Sequence, residues 1–268
     1  MDAFRGKTAV ITGGAGLLGA AMALRFARVG MNVVIADIHQ DRIDETVRAV
    51  EALGVSALGV VTDAADAGAM DALAEAAYAR FGAVHILCLN AGRAILKPFA
   101  ELTRDDWNAV LGVQFGGVLN GVLSFLPRLI AQGGERHIVV TSSMSGVGRA
   151  DLRLLNAPYV TAKFAAVGLS EVMQPALAPH GIDVSVLCPG MTVRDPEALA
   201  KSGAYAMPSA AWYKDNLLDA AQVAEEVLHG VREKRLYIFP HRAGRGEVES
   251  RHAKVIEGFD QAARTSPE

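Results

Sequence analysis

Short runs in which nearly every residue is apolar alternate along the chain with longer stretches in which apolar residues return every three to four positions. The short runs are Thr8–Thr12, Asn32–Asp37, Ala57–Thr62, Ile86–Asn90, His137–Ser142, Asp183–Cys188 and Leu236–Phe239. The amphipathic stretches are Leu18–Val29, Asp41–Leu53, Ala67–Phe81, Arg104–Ala131, Pro158–His180 and Ala221–Lys234. Strands that are apolar throughout, rather than alternating, are buried on both faces, and helices between them make neighbouring strands parallel. The pattern predicts one doubly wound α/β domain, with helices on both sides of a parallel sheet. No repeat, low-complexity tract or linker interrupts it. One segment breaks the rhythm: residues 191–218, with Gly203, Tyr205, Met207, Pro208, Trp212 and Tyr213, show no period. Placed after the carboxyl end of a strand, it is expected to form a substrate lid. Pro175 falls late in the Pro158–His180 stretch, where it is expected to kink or end the helix.

Composition narrows the function. A chain of 268 residues, 51% of them hydrophobic, can build one large core without disulfide staples. A formal charge of −3 gives no electrostatic case for nucleic acid. Met1–Arg5 leads straight into strand-like sequence with no apolar signal core, and no uninterrupted apolar run has bilayer length, so a cytoplasmic protein without a membrane partner is expected. Cys88 and Cys188 each sit in an apolar run and are expected to be buried, reduced thiols. No histidine and thiol cluster has metal-ligand spacing, so no metal is expected in the chemistry.

The first strand ends in Thr12-Gly13-Gly14-Ala15-Gly16-Leu17-Leu18-Gly19 and runs directly into a helix. Glycines there let the backbone turn tightly and approach a diphosphate, whose charge a helix N-terminus favours. Asp37 closes the second strand, where a carboxylate accepts hydrogen bonds from ribose hydroxyls and repels a 2′-phosphate. Ile38 and His39 follow it without arginine or lysine, so NAD is expected rather than NADP. Asp63, after the third strand, is a candidate for adenine contact or for capping the next helix. Tyr159 and Lys163 stand one helical turn apart on a helix that Asn156, Ala157 and Pro158 introduce. A tyrosine of ordinary pKa about 10 needs a shift of roughly 3 units to act as a base near neutrality. A cation about 4 Å away, at an effective dielectric near 20, supplies energy of that order.

The glycine loop, Asn90-Ala91-Gly92, Ser142-Ser143, Tyr159 with Lys163, and Pro189-Gly190 occur in one order. Together they resemble the short-chain dehydrogenase/reductase family in its single-domain form, over about residues 5–240. The resemblance implies a Rossmann-like seven-stranded sheet, a nicotinamide cofactor, and a homodimer or homotetramer built on the fourth and fifth helices. It implies that Tyr159 is the general acid/base, that Lys163 lowers its pKa and holds the nicotinamide ribose, and that Ser143 hydrogen-bonds the reacting oxygen, Ser143-Met-Ser-Gly146 matching the family pattern. Gln114 stands where the family places a catalytic asparagine that holds a relay water. The cofactor positions implied are Gly13, Ala15, Gly16, Leu18, Gly19, Asp37, Asp63, Ala64, Asn90, Ala91, Gly92, Tyr159, Lys163, Pro189, Gly190 and Thr192. The chain departs from the pattern at Leu17, which alters the glycine spacing, at Leu89, where an asparagine is usual, at Gln114, and at Arg194, with Thr192 replacing the usual threonine two residues early.

Sixteen positions separate Ser143 from Tyr159, more than the family usually has, and the extra length carries Arg149, Arg153, Leu154 and Leu155. With Arg93 and Arg194 nearby, an oxygen-rich or anionic substrate is one expectation; the aromatic residues of the lid favour an apolar or aromatic one. Ser145, Arg93, Leu155 and Trp212 are the substrate candidates. Leu236-Tyr-Ile-Phe-Pro240, followed by a charged helix near Glu247–Ala263, resembles the branch of bacterial aryl Cα-dehydrogenases. The expected organisation is a domain over residues 1–240, lid included, and a C-terminal extension over 241–268. The expected activity interconverts a secondary alcohol and its ketone, NAD-dependent. A nucleotide-binding relative with little turnover, and a non-redox lyase or isomerase using the same tyrosine, stay open.

Overall fold

The computed structural model describes residues 4–150, 155–193 and 217–265. Seven strands form one parallel sheet: β1 (Thr8–Thr12), β2 (Asn32–Asp37), β3 (Ala57–Val61), β4 (Ile86–Leu89), β5 (Arg136–Thr141), β6 (Ile182–Leu187) and β9 (Tyr237–Ile238), in the order β3-β2-β1-β4-β5-β6-β9. Successive residues point to opposite faces, and both faces are dry. Ala9, Ile11, Val33, Ile35, Cys88 and Val139 join one core cluster, whereas Val10, Val34, Leu87, Ile138 and Val140 join the other. This is why the strands read as apolar throughout rather than alternating.

Helices α1 (Leu17–Arg28), α2 (Gln40–Glu51) and α7 (Ala220–Arg232) cover the first face, with Met22, Phe26, Ile43, Val223 and Leu228 buried there. Helices α3 (Ala67–Phe81), α5 (Gly117–Gln132) and α6 (Ala157–Leu177) cover the second, with Met70, Leu73, Phe125, Leu129 and Met173. Two short strands, β7 (Thr192–Val193) and β8 (Leu218–Asp219), pair in parallel at the two ends of the expected lid, most of which lies outside the described residues. The C-terminal extension forms α8 (Arg245–Thr265), which carries the exposed apolar residues Val255, Ile256 and Phe259.

The stretch expected as one helix over Arg104–Ala131 is three pieces in register. Helix α4 (Arg104–Leu111) opens with a capping box between Thr103 and Asp106, and Lys97 holds the Asp106 carboxylate at 2.8 Å. A π-helical turn, Gly112–Gly116, precedes α5. The continuous run Arg104–Gln132 is 29 residues long and contains an 18-residue window of mean hydropathy 1.7, long and apolar enough to cross a membrane by length and composition, and 44% of that window is buried inside the protein. Charged and polar residues break the sequence, so the expectation that no apolar run reaches bilayer length did not anticipate the folded helix. Pro175 does not break α6 outright: the helix continues through it to Leu177 and tightens into a 3-10 turn, Ala178–His180.

Strands β2 and β3 lie on one side of β1, while β4, β5 and β6 lie on the other. The carboxyl ends of β1 and β4 therefore flank the point where the winding reverses, the place where open α/β sheets take ligands.

Candidate active site

A cleft of about 900 Å³ opens at that point. Its first wall is the glycine loop. Gly13 has φ +62°, in the left-handed region, and a Cβ on it would stand 2.9 Å from the Ala91 Cα. A Cβ on Gly19 would stand 2.0 Å from the Gly13 carbonyl oxygen, so α1 packs against the loop only because that position is bare. The N-cap of α1, Gly16, makes no side-chain hydrogen bond to it, and Gly16, Leu17, Leu18 and Gly19 line the cleft. The first-turn N–H groups thus meet the cleft without a side-chain acceptor, as an anion site requires. Thr12 Oγ1 accepts from the Asn90 and Ala91 amides at 2.9 and 3.1 Å, and Asn90 Nδ2 donates to the Thr12 carbonyl at 3.1 Å. Asn90 therefore pins the glycine loop to the end of β4 as well as lining the cleft.

Asp37 lies at the far end. Its Oδ2 accepts from the Ala15 amide at 3.2 Å and its Oδ1 from the Ile38 amide at 2.8 Å, which fixes the carboxylate at the cleft wall. Ala15 does not itself line the cleft; its place is to hold Asp37. Arg42, in the first turn of α2, lines the same end as His39. A cation is thus present where the sequence offered none directly after Asp37. Asp63 and Ala64 line the cleft too. Asp63 Oδ1 closes a local turn by accepting from the Ala65 amide, and the cap of α3 is Asp66, accepting from Ala69 at 3.0 Å.

At the other end Tyr159 and Lys163 share one side of α6 and both line the cleft. The Lys163 Nζ lies 5.3 Å from the Tyr159 ring centroid and donates to the Thr141 carbonyl at 2.6 Å. The lysine is 4% exposed, and burial pulls its pKa down from 10.5 to about 7, against a weaker opposing pull from Cys188. Burial pushes the Cys188 thiol up to about 12, and both Cys88 and Cys188 are free and buried.

The two serines after β5 have different partners. Ser142 donates its hydroxyl to the Lys163 carbonyl at 2.8 Å, which ties β5 to α6. Ser143 Oγ instead accepts from the Ser145 amide at 3.1 Å, so its own proton is available to another acceptor. Ser143 and Ser145 are buried, and neither lines the cleft, whereas Ser142 does. Gln114 sits in the π turn, whose extra residue re-aims the helix face. It lines the cleft, 3% exposed, with Nε2 donating to the Arg93 carbonyl at 2.7 Å and Oε1 buried without a hydrogen-bond partner.

Gly92, Arg93, Pro189, Gly190 and Thr192 also line the cleft. Leu155 is not part of it: it is exposed, and its carbonyl accepts from the Lys97 amide at 2.9 Å, joining that segment to the loop bearing exposed Leu96 and Phe99. Trp212 and Arg194 lie outside the described residues. Leu17, Thr62 and Arg42 line the cleft although they were not expected to contact a cofactor, as do Ile38, His39, Ala94, Val113, Thr141 and Ser142. Arg42 was legible as a residue one turn past Asp37, had the helix start been allowed to face the cleft.

Strand order and cleft together define a dinucleotide-binding α/β protein of the Rossmann type. The profile of the short chain dehydrogenase family matches residues 7–202, and the chain belongs to that family. It is 33% identical over 272 residues to a C alpha-dehydrogenase of Sphingobium sp. SYK-6, covering 96% of this chain and 88% of that protein. The apo crystal structure of LigD from Sphingobium sp. SYK-6 superposes with a TM-score of 0.83 at 31% identity, over 99% of this chain and 100% of that one. A short chain dehydrogenase/reductase from Burkholderia phymatum in complex with NAD superposes with a TM-score of 0.84 at 32% identity, over 96% of this chain and 97% of that one.

Proposed function

We propose that the protein is an NAD-dependent oxidoreductase that interconverts a secondary alcohol, aryl-bearing in the favoured case, and its ketone. The observation that carries this is the side-by-side placement of Tyr159 and Lys163 in the same cleft as the bare glycine cradle and Asp37. The cradle fits the group: the close approaches at Gly13 and Gly19 and the uncapped start of α1 suit a diphosphate, and Asp37 suits ribose hydroxyls. When bound, NAD supplies the acceptor for the hydride leaving the carbinol carbon.

The chain's own groups do the rest. Tyr159, as phenolate, takes the proton of the alcohol hydroxyl. Lys163 in its charged form favours that phenolate, and a value near 7 lets it give and take a proton at neutral pH. Ser143 donates its free hydroxyl proton to the substrate oxygen as charge develops there. Ser142 acts indirectly, by fixing the Lys163 backbone. Gln114 holds the Gly92–Arg93 segment through its amide nitrogen.

The same reading makes the protein cytoplasmic, with neither nucleic acid nor membrane as partner, and a homo-oligomer. Exposed Leu119, Leu123 and Ile130 on α5 and Val172 on α6 supply an apolar surface for a second copy. The reading of a binding protein with little turnover rests on Leu17, Gln114 and Arg194; Arg194 lies outside the described residues, and the cleft keeps about 900 Å³ with Leu17 and Gln114 in place. NAD mixed with a panel of secondary benzylic alcohols and followed by NADH absorbance tests the proposal; turnover supports it, and no NADH from any member with NAD demonstrably bound would overturn the redox claim.

A further inference from the structure

Among the described residues, the C-terminal extension meets the cleft wall at Gly190. Gly190, which lines the cleft, donates its amide to His241 Nε2 at 3.0 Å, across 51 positions of sequence. The imidazole sits so close that a Cβ on Gly190 would stand 2.6 Å from Nε2. One residue earlier, the Pro189 carbonyl accepts from the Met144 amide at 3.0 Å, inside the segment that begins with Ser143. The extension leans on that segment as well: a Cβ on Gly244 would meet Met144 Cε at 2.5 Å, and one on Gly148 would meet Glu247 Oε2 at 2.8 Å. The turn after β6 is thus held from both sides, by the serine segment at Pro189 and by the extension at Gly190.

An imidazole nitrogen that accepts from an amide carries no proton, so a neutral His241 holds its proton on Nδ1. Nδ1 is sealed from solvent without a full hydrogen bond, and the backbone of Ala243 is the polar group it feels. We propose that His241 is a positioning residue: accepting from Gly190, it fixes the Pro189–Gly190 turn at the nicotinamide end of the cleft and couples the C-terminal extension to cofactor binding. This rests on the dinucleotide reading above.

Protonation would remove the acceptor and set two donors against each other. Burial lowers the imidazole's pKa, so the neutral form persists below the ordinary histidine range and the contact is lost only as pH falls further. Titratable or charged groups on the elements at this corner include, among the described residues, Asp183 on β6 and Cys188 beyond it, Tyr237 on β9, Tyr159, Lys163 and Glu171 on α6, and Arg242, Arg245, Glu247, Glu249, Arg251 and His252 on the extension.

The test is NAD affinity, by calorimetry, of the full-length enzyme and two variants from pH 5 to pH 8. His241→Phe keeps a ring over Gly190 without an acceptor and is expected to bind NAD about tenfold more weakly at pH 8, the effect of one lost hydrogen bond. His241→Gln offers an amide oxygen near the Nε2 position and is expected to stay within about threefold of the parent. The parent should lose affinity relative to the glutamine enzyme as pH falls, a comparison in which Lys163 titrates alike in both. Parent-like binding by the phenylalanine enzyme, or equal weakening in both variants, overturns the proposal. A parent enzyme that binds no NAD at any pH instead overturns the function on which it rests.

Discussion

Replacing Lys163 by Met should make the cofactor-free protein more stable while abolishing its turnover. Burial that takes the lysine from 10.5 to about 7 disfavours the buried ammonium by about 5 kcal/mol. The folded value lies below the unfolded one, so between about 7 and 10.5 the unfolded chain holds more protons and stability rises with pH. The penalty is therefore fully present at and below about pH 7 and gone above about 10.5. Methionine keeps the stem's bulk but leaves the Thr141 carbonyl, now bonded at 2.6 Å, without its donor, a loss of about 1–3 kcal/mol. The net gain is about 2–4 kcal/mol near neutrality, which for a domain of this size raises the melting temperature by roughly 5–10 °C. Thermal and urea melts of both proteins at pH 6.5, 8 and 9.5 should show the variant ahead at pH 6.5, with the gap narrowing as pH rises and closed or reversed by pH 9.5. A variant that melts below the parent at every pH, or a gap independent of pH, would refute the claim that burial of this ammonium is what the site strains against.

Two further predictions separate neighbouring roles. Ser143→Ala should lower kcat by about 10²–10³ with dinucleotide affinity intact, whereas Ser142→Ala should cost about 1 kcal/mol of stability by losing its hydrogen bond to the Lys163 carbonyl, which keeps its partner within α6, and leave kcat far less changed; steady-state kinetics and urea melts of the pair decide, and the reverse pattern would exchange the two assignments. Asp37→Ala should shift preference from NAD toward NADP by on the order of 10²–10³, because it removes a repulsion of a few kcal/mol and leaves Arg42 and His39 facing the cleft; competition binding of the two dinucleotides measures it, and an unchanged ratio would dismiss Asp37 as the discriminating group.

Much of the architecture was legible because both sheet faces are dry: unbroken apolar runs such as Thr8–Thr12 and Asn32–Asp37 match the strands residue for residue. Boundaries slipped where the last residue of a run leaves the ladder, as at Thr62 and Asn90, whose backbones turn toward the cleft. The π turn at Gly112–Gly116 was invisible, since one inserted residue barely changes a helical period. Within the site, Gly13, Asp37, Asn90 and Gly190 line one cleft because the carboxyl ends of β1, β2, β4 and β6 open on it, whereas Ala15, Ser143, Ser145 and Leu155 do not line it. What the sequence could not show is where each polar group sends its hydrogen bond. Ser142 and Ser143 are chemically identical and differ in partner and in their access to the cleft. His241 had no local signal, its contact being to a strand end 51 positions away.

The central claim is that Tyr159 moves the proton that accompanies hydride transfer. Its most direct measurement is NADH formation from a secondary benzylic alcohol by the parent and by Tyr159→Phe, with NAD binding to both checked by calorimetry. The account predicts that the phenylalanine enzyme binds NAD normally and loses at least about 10²-fold in turnover; a variant that binds NAD and turns over like the parent would contradict it.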